Sequence, residues 1–186
     1  MRRKILFAVV LAAVLTTAKA FASPVHPDGI GVGIMGGFSS GGVGNAALSL
    51  KLPALPIFWG INAGFWTHGF SVGVQGDVYI LGSMFFEDML GWFFGIGGYV
   101  GFASHSQRNY WHDGRYWTRG WTRVGFGVRA PIGLTFQPID FLELFINLAP
   151  SVGINIFSND NAWDDRYSGA GLGVGLGGEL GLRFWF

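Results

Sequence analysis

The chain has 186 residues, half of them hydrophobic and only 12% charged, with 32 Gly, 18 Phe and 8 Trp and no Cys. This length suits one domain, and the apolar content excludes an intrinsically disordered chain. The lack of Cys excludes disulfides, thiolate metal sites, a cysteine nucleophile and a lipid-modified N-terminal cysteine.

The first 20 residues have the three parts of a secretory signal peptide. A basic segment (2–4) precedes an unbroken apolar run of 11 residues (5–15), which is too short to span a bilayer. Two A-x-A sites follow and would allow cleavage after residue 20 or residue 22. We therefore expect residues 1–20 to form a cleaved signal peptide.

The predicted leader carries the basic excess of the chain. Four of the 12 Lys and Arg lie in it, so residues 21–186 keep 8 basic against 11 acidic residues and a net charge of −3 instead of +1. This balance gives no reason to expect a nucleic-acid partner. No later stretch reaches about 18 uninterrupted apolar residues, so no transmembrane helix is expected.

Residues 21–186 alternate between hydrophobic positions and positions rich in glycine and polar residues. In 171–186 the even positions hold Leu, Val and Phe with one Gly, whereas the odd positions hold five Gly, Glu179, Arg183 and Trp185. A period of two places these sets on opposite faces of a β-strand. The pattern predicts eight strands, near residues 30–38, 46–52, 57–66, 70–81, 92–102, 123–136, 142–156 and 171–186.

The predicted connections differ in length at the two ends of these strands. One end has the connections 39–45, 67–69, 104–122 and 158–170, which include the two longest. The other end has 53–56, 82–91 and 137–140. Outer-membrane barrels have this asymmetry, with long extracellular loops and short periplasmic turns, so we expect both chain termini on the periplasmic side.

The residue types on each face separate a membrane barrel from a soluble sandwich or lipocalin-like barrel, whose strands would alternate as well. The glycine-rich face carries every charge of the predicted strands, namely Lys51, Asp77, Arg123, Arg129, Glu143, Glu179 and Arg183. An eight-stranded lumen is barely wide enough for side chains, and a charge facing lipid would cost about 2–4 kcal/mol near the midplane. We therefore predict an all-β fold for residues 21–186, a transmembrane antiparallel eight-stranded up-and-down β-barrel.

Six of these charges form a candidate ion-pair network in the lumen: Lys51, Asp77, Arg129, Glu143, Glu179 and Arg183. Because an unpaired ion inside a narrow barrel is very costly, we expect them to pair. Glu143 and Arg183 are expected partners, since each lies near the periplasmic end of its strand. The network would either plug the lumen or act as a gate for solute, and its equal numbers of positive and negative charges favour the plug.

The predicted loop 104–122 is basic and aromatic. Its candidate interaction residues are Arg108, Trp111, Arg115, Trp117, Arg119 and Trp121. One interpretation is contact with anionic head groups or a host polymer. The other is a cap, in which this loop pairs with the loop 158–170 and its residues Asp160, Asp164 and Asp165. Both remain open at this point.

No motif predicts a catalytic site, a cofactor or a metal. Ser104–His105–Ser106 is reminiscent of the Ser/His pair of barrel lipid A deacylases, but no neighbouring carboxylate would orient the His. The G-x-G-x-x-G matches at Gly31 and Gly173 lie on predicted strands rather than at the start of a helix. The oxygen-rich segment 159–165 lacks the spaced Gly and final Glu of a calcium loop.

The end of the sequence resembles the C-terminal signal of bacterial outer-membrane barrels. In those families a polar residue, a Gly and a terminal aromatic residue are read by the barrel-assembly machinery. Glu179, Gly181, Phe184 and Phe186 have the corresponding spacing. The resemblance implies the assembly machinery as a partner and the bacterial outer membrane as the location.

A second resemblance covers about 30 residues. The segments Gly127–Leu134, Glu143–Phe145 and Leu148–Pro150 are similar to a family of small barrels of unknown function, found in spirochaetes among other bacteria. The resemblance implies an eight-stranded fold like that of outer-membrane protein A, and it implies no activity.

These observations predict a monomeric outer-membrane barrel that contacts outer-membrane lipid and is not an enzyme. Its plugged, ion-paired interior would make it a membrane scaffold, and its long loops would contact surface ligands. The main alternative is a narrow porin or conduit for small or hydrophobic solutes. A more remote alternative is a lipid A-modifying enzyme, which would need an acidic partner for His105.

Overall fold

The computed structural model describes residues 25–27, 29–39, 44–53, 55–86, 88–112, 115–160 and 167–186. These residues form nine strands: β1 (Gly31–Ser39), β2 (Gly44–Lys51), β3 (Phe58–Trp66), β4 (Gly69–Phe85), β5 (Leu90–His112), β6 (Arg115–Arg129), β7 (Ile132–Ile139), β8 (Leu142–Asp160) and β9 (Tyr167–Trp185). Within the same ranges there is no helical segment with the length and hydropathy needed to cross a bilayer. The predicted signal peptide (1–20) and its cleavage sites lie outside the described residues.

The strands close into a ring of eight positions. Strands β6 and β7 share one position, and each position pairs antiparallel with the next along the chain. The first strand, β1, pairs with the last, β9, and closes the ring. This is an up-and-down arrangement with no free sheet edge. The predicted antiparallel eight-stranded β-barrel is confirmed.

The ninth strand arises because one barrel strand is interrupted at Pro131, which has no backbone N–H to donate. Both halves of this strand, β6 and β7, pair with β5 on one side and with β8 on the other. Between them the Gly95 amide donates to the Pro131 carbonyl (2.8 Å), and the Ala130 amide donates to the Pro150 carbonyl (3.0 Å). The two halves therefore act as one wall strand.

The prediction of a loop over residues 104–122 is wrong. Strands β5 and β6 stay paired from Ser104 and Thr122 out to His112 and Arg115, with one irregularity in register. The pairing of β5 with β4 ends at His105, and the pairing of β6 with β8 ends at Gly120. The β5–β6 hairpin therefore continues beyond both neighbouring strands. At the usual rise its seven further residues extend roughly 24 Å. The alternation fails there because a two-stranded ribbon with no neighbouring strands has no core-facing side.

Two other predicted connections are shorter than expected. Residues Phe85 and Leu90 pair, which leaves a turn of 86–89 in place of 82–91. Ser158 pairs with Ser168 in place of a loop over 158–170.

The two ends of the barrel are named by what they carry. The terminus end is the one where β1 begins and β9 ends, and the hairpin end is the opposite one, which carries the β5–β6 hairpin.

The polarity of the barrel is the reverse of that of a soluble protein. Outward side chains such as Ile34, Val174 and Leu180 are hydrophobic and 60%, 82% and 64% exposed. Inward side chains include Arg183 and Glu143, which are 2% and 0% exposed. The charged and glycine-rich face predicted from the sequence is therefore the inside of the ring.

Inward glycines fall into two groups that differ in what surrounds them. At Gly33 an added Cβ would collide with the Leu182 carbonyl and lie 2.7 Å from the Arg183 Cα, both of them backbone. At Gly101 the only atom near an added Cβ is the Val72 carbonyl oxygen at 3.6 Å, an ordinary contact distance. Glycine is thus required by close packing at Gly33, but not at Gly101.

We predict that Gly33→Ala lowers the free energy of unfolding by about 1–3 kcal/mol, because the backbone must move to admit the methyl group. The matched variant Gly101→Ala should change it by less than about 0.5 kcal/mol. Denaturant titration of the refolded barrel measures both values. Equal effects of the two substitutions would contradict this division of the glycines.

Candidate functional site

The barrel interior holds three successive layers between the terminus end and the hairpin end. The first is the terminus-end cluster, made of His26, Ser49, Thr135, Glu143, Arg183 and Trp185. The second is the mid-barrel cluster, made of Gln75, Asp77, Arg129, Asn147 and Glu179. The third is a polar cavity, the vestibule, which lies between the mid-barrel cluster and the hairpin end.

Glu143 is the centre of the terminus-end cluster, and both of its carboxylate oxygens are fully engaged. Oε2 accepts hydrogen bonds from Arg183 Nη1 (2.7 Å) and Trp185 Nε1 (2.9 Å). Oε1 accepts one from the Thr135 hydroxyl (2.9 Å) and lies 2.7 Å from His26 Nδ1. A buried carboxylate needs such partners, because burial of an unpaired charge is strongly unfavourable.

Arg183 is enclosed by aromatic rings as well as by its carboxylate partner. Its guanidinium carbon lies 4.8 Å, 4.7 Å and 5.5 Å from the ring centroids of Phe58, Phe145 and Trp185. The remaining donors, Nε and Nη2, hydrogen-bond the Ser49 hydroxyl at 3.2 Å and 3.0 Å. Cation–π contacts of this kind are strongest when the cation is desolvated, as it is here.

The segment before β1 enters the barrel and completes this layer. The ring of His26 packs against Phe58, Tyr79 and Phe93, with centroid distances of 4.8–5.4 Å. Val25 is 1% exposed, and its carbonyl accepts a hydrogen bond from the Gln137 side chain (2.8 Å). The sequence analysis missed His26 because it precedes the first alternating segment and belongs to no motif.

Arg129 is the centre of the mid-barrel cluster and joins strands on opposite sides of the ring. Nη1 and Nη2 form a two-pronged contact with the Glu179 carboxylate at 2.7 Å and 2.9 Å. Nη1 also donates to Gln75 Oε1 (2.7 Å), and Nε lies 3.2 Å from Asp77 Oδ1. The amides of Gln75 and Asn147 donate to the same Glu179 carboxylate at 2.8 Å and 3.1 Å.

The structure divides five residues of the six-residue network between these two layers. It brings Asp77, Arg129 and Glu179 together at mid-barrel, and it pairs Glu143 with Arg183 at the terminus end. Lys51 lies at the rim of the terminus end, where its Nζ donates to the Leu52 carbonyl (3.0 Å) and lies 5.6 Å from the Phe58 ring.

The vestibule has a volume of about 630 Å³. Glycines and neutral polar residues line it together with apolar residues such as Phe38 and with the charged residues Arg123, Arg129 and Glu179. Its polar side chains include Asn62, Tyr99, Ser151 and Asn155. None of these four side chains hydrogen-bonds another residue in the described part of the chain. The sequence analysis could not separate these residues from other inward positions, because the period of two does not distinguish depth.

Trp121 is the one residue of the candidate surface-interaction set whose side chain is described. It stacks on His105 with a centroid distance of 5.8 Å, and the Arg123 guanidinium lies 5.9 Å from its ring. The side chains of Arg108, Trp111, Arg115, Trp117 and Arg119 lie outside the described residues.

Two residues of the Ser104–His105–Ser106 segment have described side chains. His105 lines the vestibule, and Ser104, as its neighbour in a strand, faces the opposite side of the wall. Among the residues that the structure describes, no three His, Asp or Glu are grouped to hold a metal ion.

The four residues that resemble an assembly signal lie on both faces of β9 and its end. Glu179 points inward to Arg129. An added Cβ at Gly181 would lie 2.6 Å from the Phe145 ring, so this glycine makes room for a core aromatic residue. Phe184 and Phe186 face outward and are 41% and 81% exposed.

The fold and interior define a small β-barrel with an apolar outer surface and a buried, ion-paired lumen. Residues 29–184 match the family described as "Protein of unknown function (DUF3996)", and the chain belongs to this family. The predicted resemblance to a small-barrel family of unknown function is confirmed. No curated protein matches the chain.

Among solved structures, the chain is similar to the crystal structure of a major outer membrane protein from Thermus thermophilus. The two share 12% sequence identity with a TM-score of 0.58, over 87% of this chain and 100% of the other. At this identity the likeness concerns the fold alone.

We predict that Arg183→Met lowers the free energy of unfolding by about 3–5 kcal/mol, because it leaves the Glu143 carboxylate buried without its cation. The matched variant Arg123→Met removes an exposed arginine and should cost less than about 0.5 kcal/mol. Denaturant titration gives both values.

A double-mutant cycle separates pairing from packing at the same site. Glu143→Leu combined with Arg183→Met should cost less than the sum of the two single changes, by about 0.5–3 kcal/mol. Strict additivity would show that the two side chains do not depend on each other.

Proposed function

We propose that this protein is an integral outer-membrane barrel whose interior is closed to solute. The outward face supports this, because a continuous surface of exposed Leu, Ile, Val and Phe suits lipid rather than water. The closed ring satisfies the backbone hydrogen bonds of the wall, as a membrane-spanning strand requires. The fold shared with the Thermus outer membrane protein supports the same location.

The proposed orientation has the hairpin end outside the cell and both chain termini on the periplasmic side. Longer extracellular connections and short periplasmic turns are the rule in such barrels, and the β5–β6 hairpin is the longest projection of the described structure. The signal-like set Glu179, Gly181, Phe184 and Phe186 would be read by the barrel-assembly machinery on the periplasmic side.

The mid-barrel cluster carries the proposal of a closed lumen. Arg129 reaches Glu179 and Asp77 at 2.7 Å and 3.2 Å, and these side chains come from three different ring positions. An eight-stranded lumen leaves little more than the width of such side chains, and the terminus-end cluster fills a second cross-section. We propose a monomeric scaffold without catalytic activity, since Ser104 and His105 face opposite sides of the wall.

The β5–β6 hairpin is the part of this scaffold that we propose contacts other molecules at the cell surface. Its basic and aromatic residues Arg108, Trp111, Arg115, Trp117, Arg119 and Trp121 suit an anionic polymer or anionic head groups. The pairing of β5 with β6 beyond their neighbours supports an extended ribbon rather than a loop folded over the barrel.

We predict that the refolded mature protein gives no resolved conductance steps in a planar bilayer. Arg129→Ala alone and Arg183→Ala alone should also be silent, because each substitution opens only one of the two closed layers. A porin reconstituted in the same way is the positive control, and heat-modifiable gel mobility checks that each sample is folded. Reproducible steps from the wild type that change with Arg129→Ala would favour a conduit and overturn the scaffold.

We predict that alanine at Trp111, Trp117 and Trp121 weakens binding of proteoliposomes to an immobilised sulfated polysaccharide by about tenfold or more, as loss of aromatic anchors does. The control Trp92→Ala changes a tryptophan at the opposite end of β5 and should leave binding unchanged. Identical binding by wild type and triple variant would remove the support for a surface-contact hairpin.

A further inference from the structure

The wall of the vestibule is built to leave space rather than to fill it. At Gly101 and Gly177 an added Cβ would meet only backbone carbonyl oxygens, at 3.6–3.7 Å. Glycine weakens a strand, so it is usually kept where a close approach requires it. Close packing requires no glycine at these two positions, and both line the same cavity of about 630 Å³.

Polar side chains of the vestibule lie flat against glycines on neighbouring strands. An added Cβ at Gly73 would lie 2.8 Å from the Asn62 amide oxygen, and one at Gly125 would lie 2.8 Å from that of Asn155. The Tyr99 ring covers Gly127 in the same way, at 3.0 Å. Amides and a phenol ring are therefore held along the wall while the centre stays open.

The arginine at the floor of the vestibule is already paired. Arg129 binds Glu179 at 2.7 Å and lies 3.2 Å from Asp77, so the floor does not offer a free cation to a ligand. Arg123 lies at the exposed rim, where its guanidinium is 5.9 Å from the Trp121 ring. The side chains without a hydrogen-bond partner in the described chain, such as Tyr99, Ser151 and Asn155, are neutral groups that both donate and accept.

We propose that the vestibule binds a small uncharged polyhydroxylated ligand, of the size of one or two sugar units, which enters from the hairpin end. The volume lies in the range of about 300–1,000 Å³ typical of small-molecule sites. The open face of the Tyr99 ring offers a stacking surface, and the amides of Asn62 and Asn155 offer hydrogen bonds to hydroxyl groups. This binding does not require that the lumen conduct, so the site and the closed barrel can be tested separately.

The test is isothermal titration calorimetry of the folded protein with glucose and maltose. The detergent must be a phosphocholine type, because glucoside and maltoside detergents carry the proposed ligand chemistry themselves. We expect saturable binding of maltose with Kd of about 1 mM or tighter. Absence of saturable heat with both sugars up to roughly 50 mM would overturn the proposal.

Substitutions that fill the vestibule locate the binding. Gly101→Leu and Gly177→Leu should each weaken maltose binding at least about tenfold, a loss of about 1.4 kcal/mol. The matched control Leu172→Phe enlarges an outward residue of the same strand as Gly177 that is 79% exposed and does not line the vestibule, and it should leave binding unchanged. If both filled variants bind as the wild type does, the sugar lies elsewhere and the proposal fails.

A second set of variants adds no bulk to the lumen, so the test does not depend on whether Gly101→Leu and Gly177→Leu fold. Tyr99→Phe keeps the stacking surface and should retain most of the affinity, whereas Asn62→Ala and Asn155→Ala remove hydrogen bonds and should each weaken binding.

Charged sugars test whether the ligand is uncharged. Glucuronate and glucosamine should both bind no more tightly than glucose. Tighter binding of either charged sugar would overturn the choice of an uncharged ligand.

Discussion

The narrow cross-section of a closed eight-stranded ring determines which side chains fit inside this protein and how its buried charges pair. Because the ring leaves room for only a few side chains at each level, a charge placed there meets its partner across the lumen or within the wall. Glu143 shows the result, with Arg183, Trp185 and Thr135 on its oxygens and His26 beside it. Glycines at close approaches follow from the same limit, since a methyl group at Gly33 would collide with the neighbouring strand.

The arrangement of residues on the wall could be predicted from the sequence because it depends on a period of two. Strand direction, ring size and the inward face of Asp77, Arg129, Glu143, Glu179 and Arg183 all follow from that period together with the loop lengths. The expected pairing of Glu143 with Arg183 used one further step, the similar depth of both residues in their strands. The structure places them opposite each other in register and 2.7 Å apart.

Features that depend on depth or on the absence of a core were not predictable in this way. The sequence does not say which inward residues share a level, so the division of the network into two layers emerged only from the register of the strands. The β5–β6 hairpin lacks the alternation because no neighbouring strand backs it beyond His105 and Gly120. Pro131 divides a strand that the sequence pattern treated as continuous, although the backbone bonds on either side keep the wall intact.

The insertion of His26 into the terminus-end cluster makes a residue that precedes β1 part of the core of the barrel. A chain trimmed past His26 would leave a gap among Phe58, Tyr79 and Phe93 and would take one neighbour from Glu143. Cleavage at either predicted leader site, after residue 20 or 22, keeps His26 and leaves only a few residues before the lumen. The packing of the barrel therefore limits how far removal of the N-terminal segment could extend along the chain.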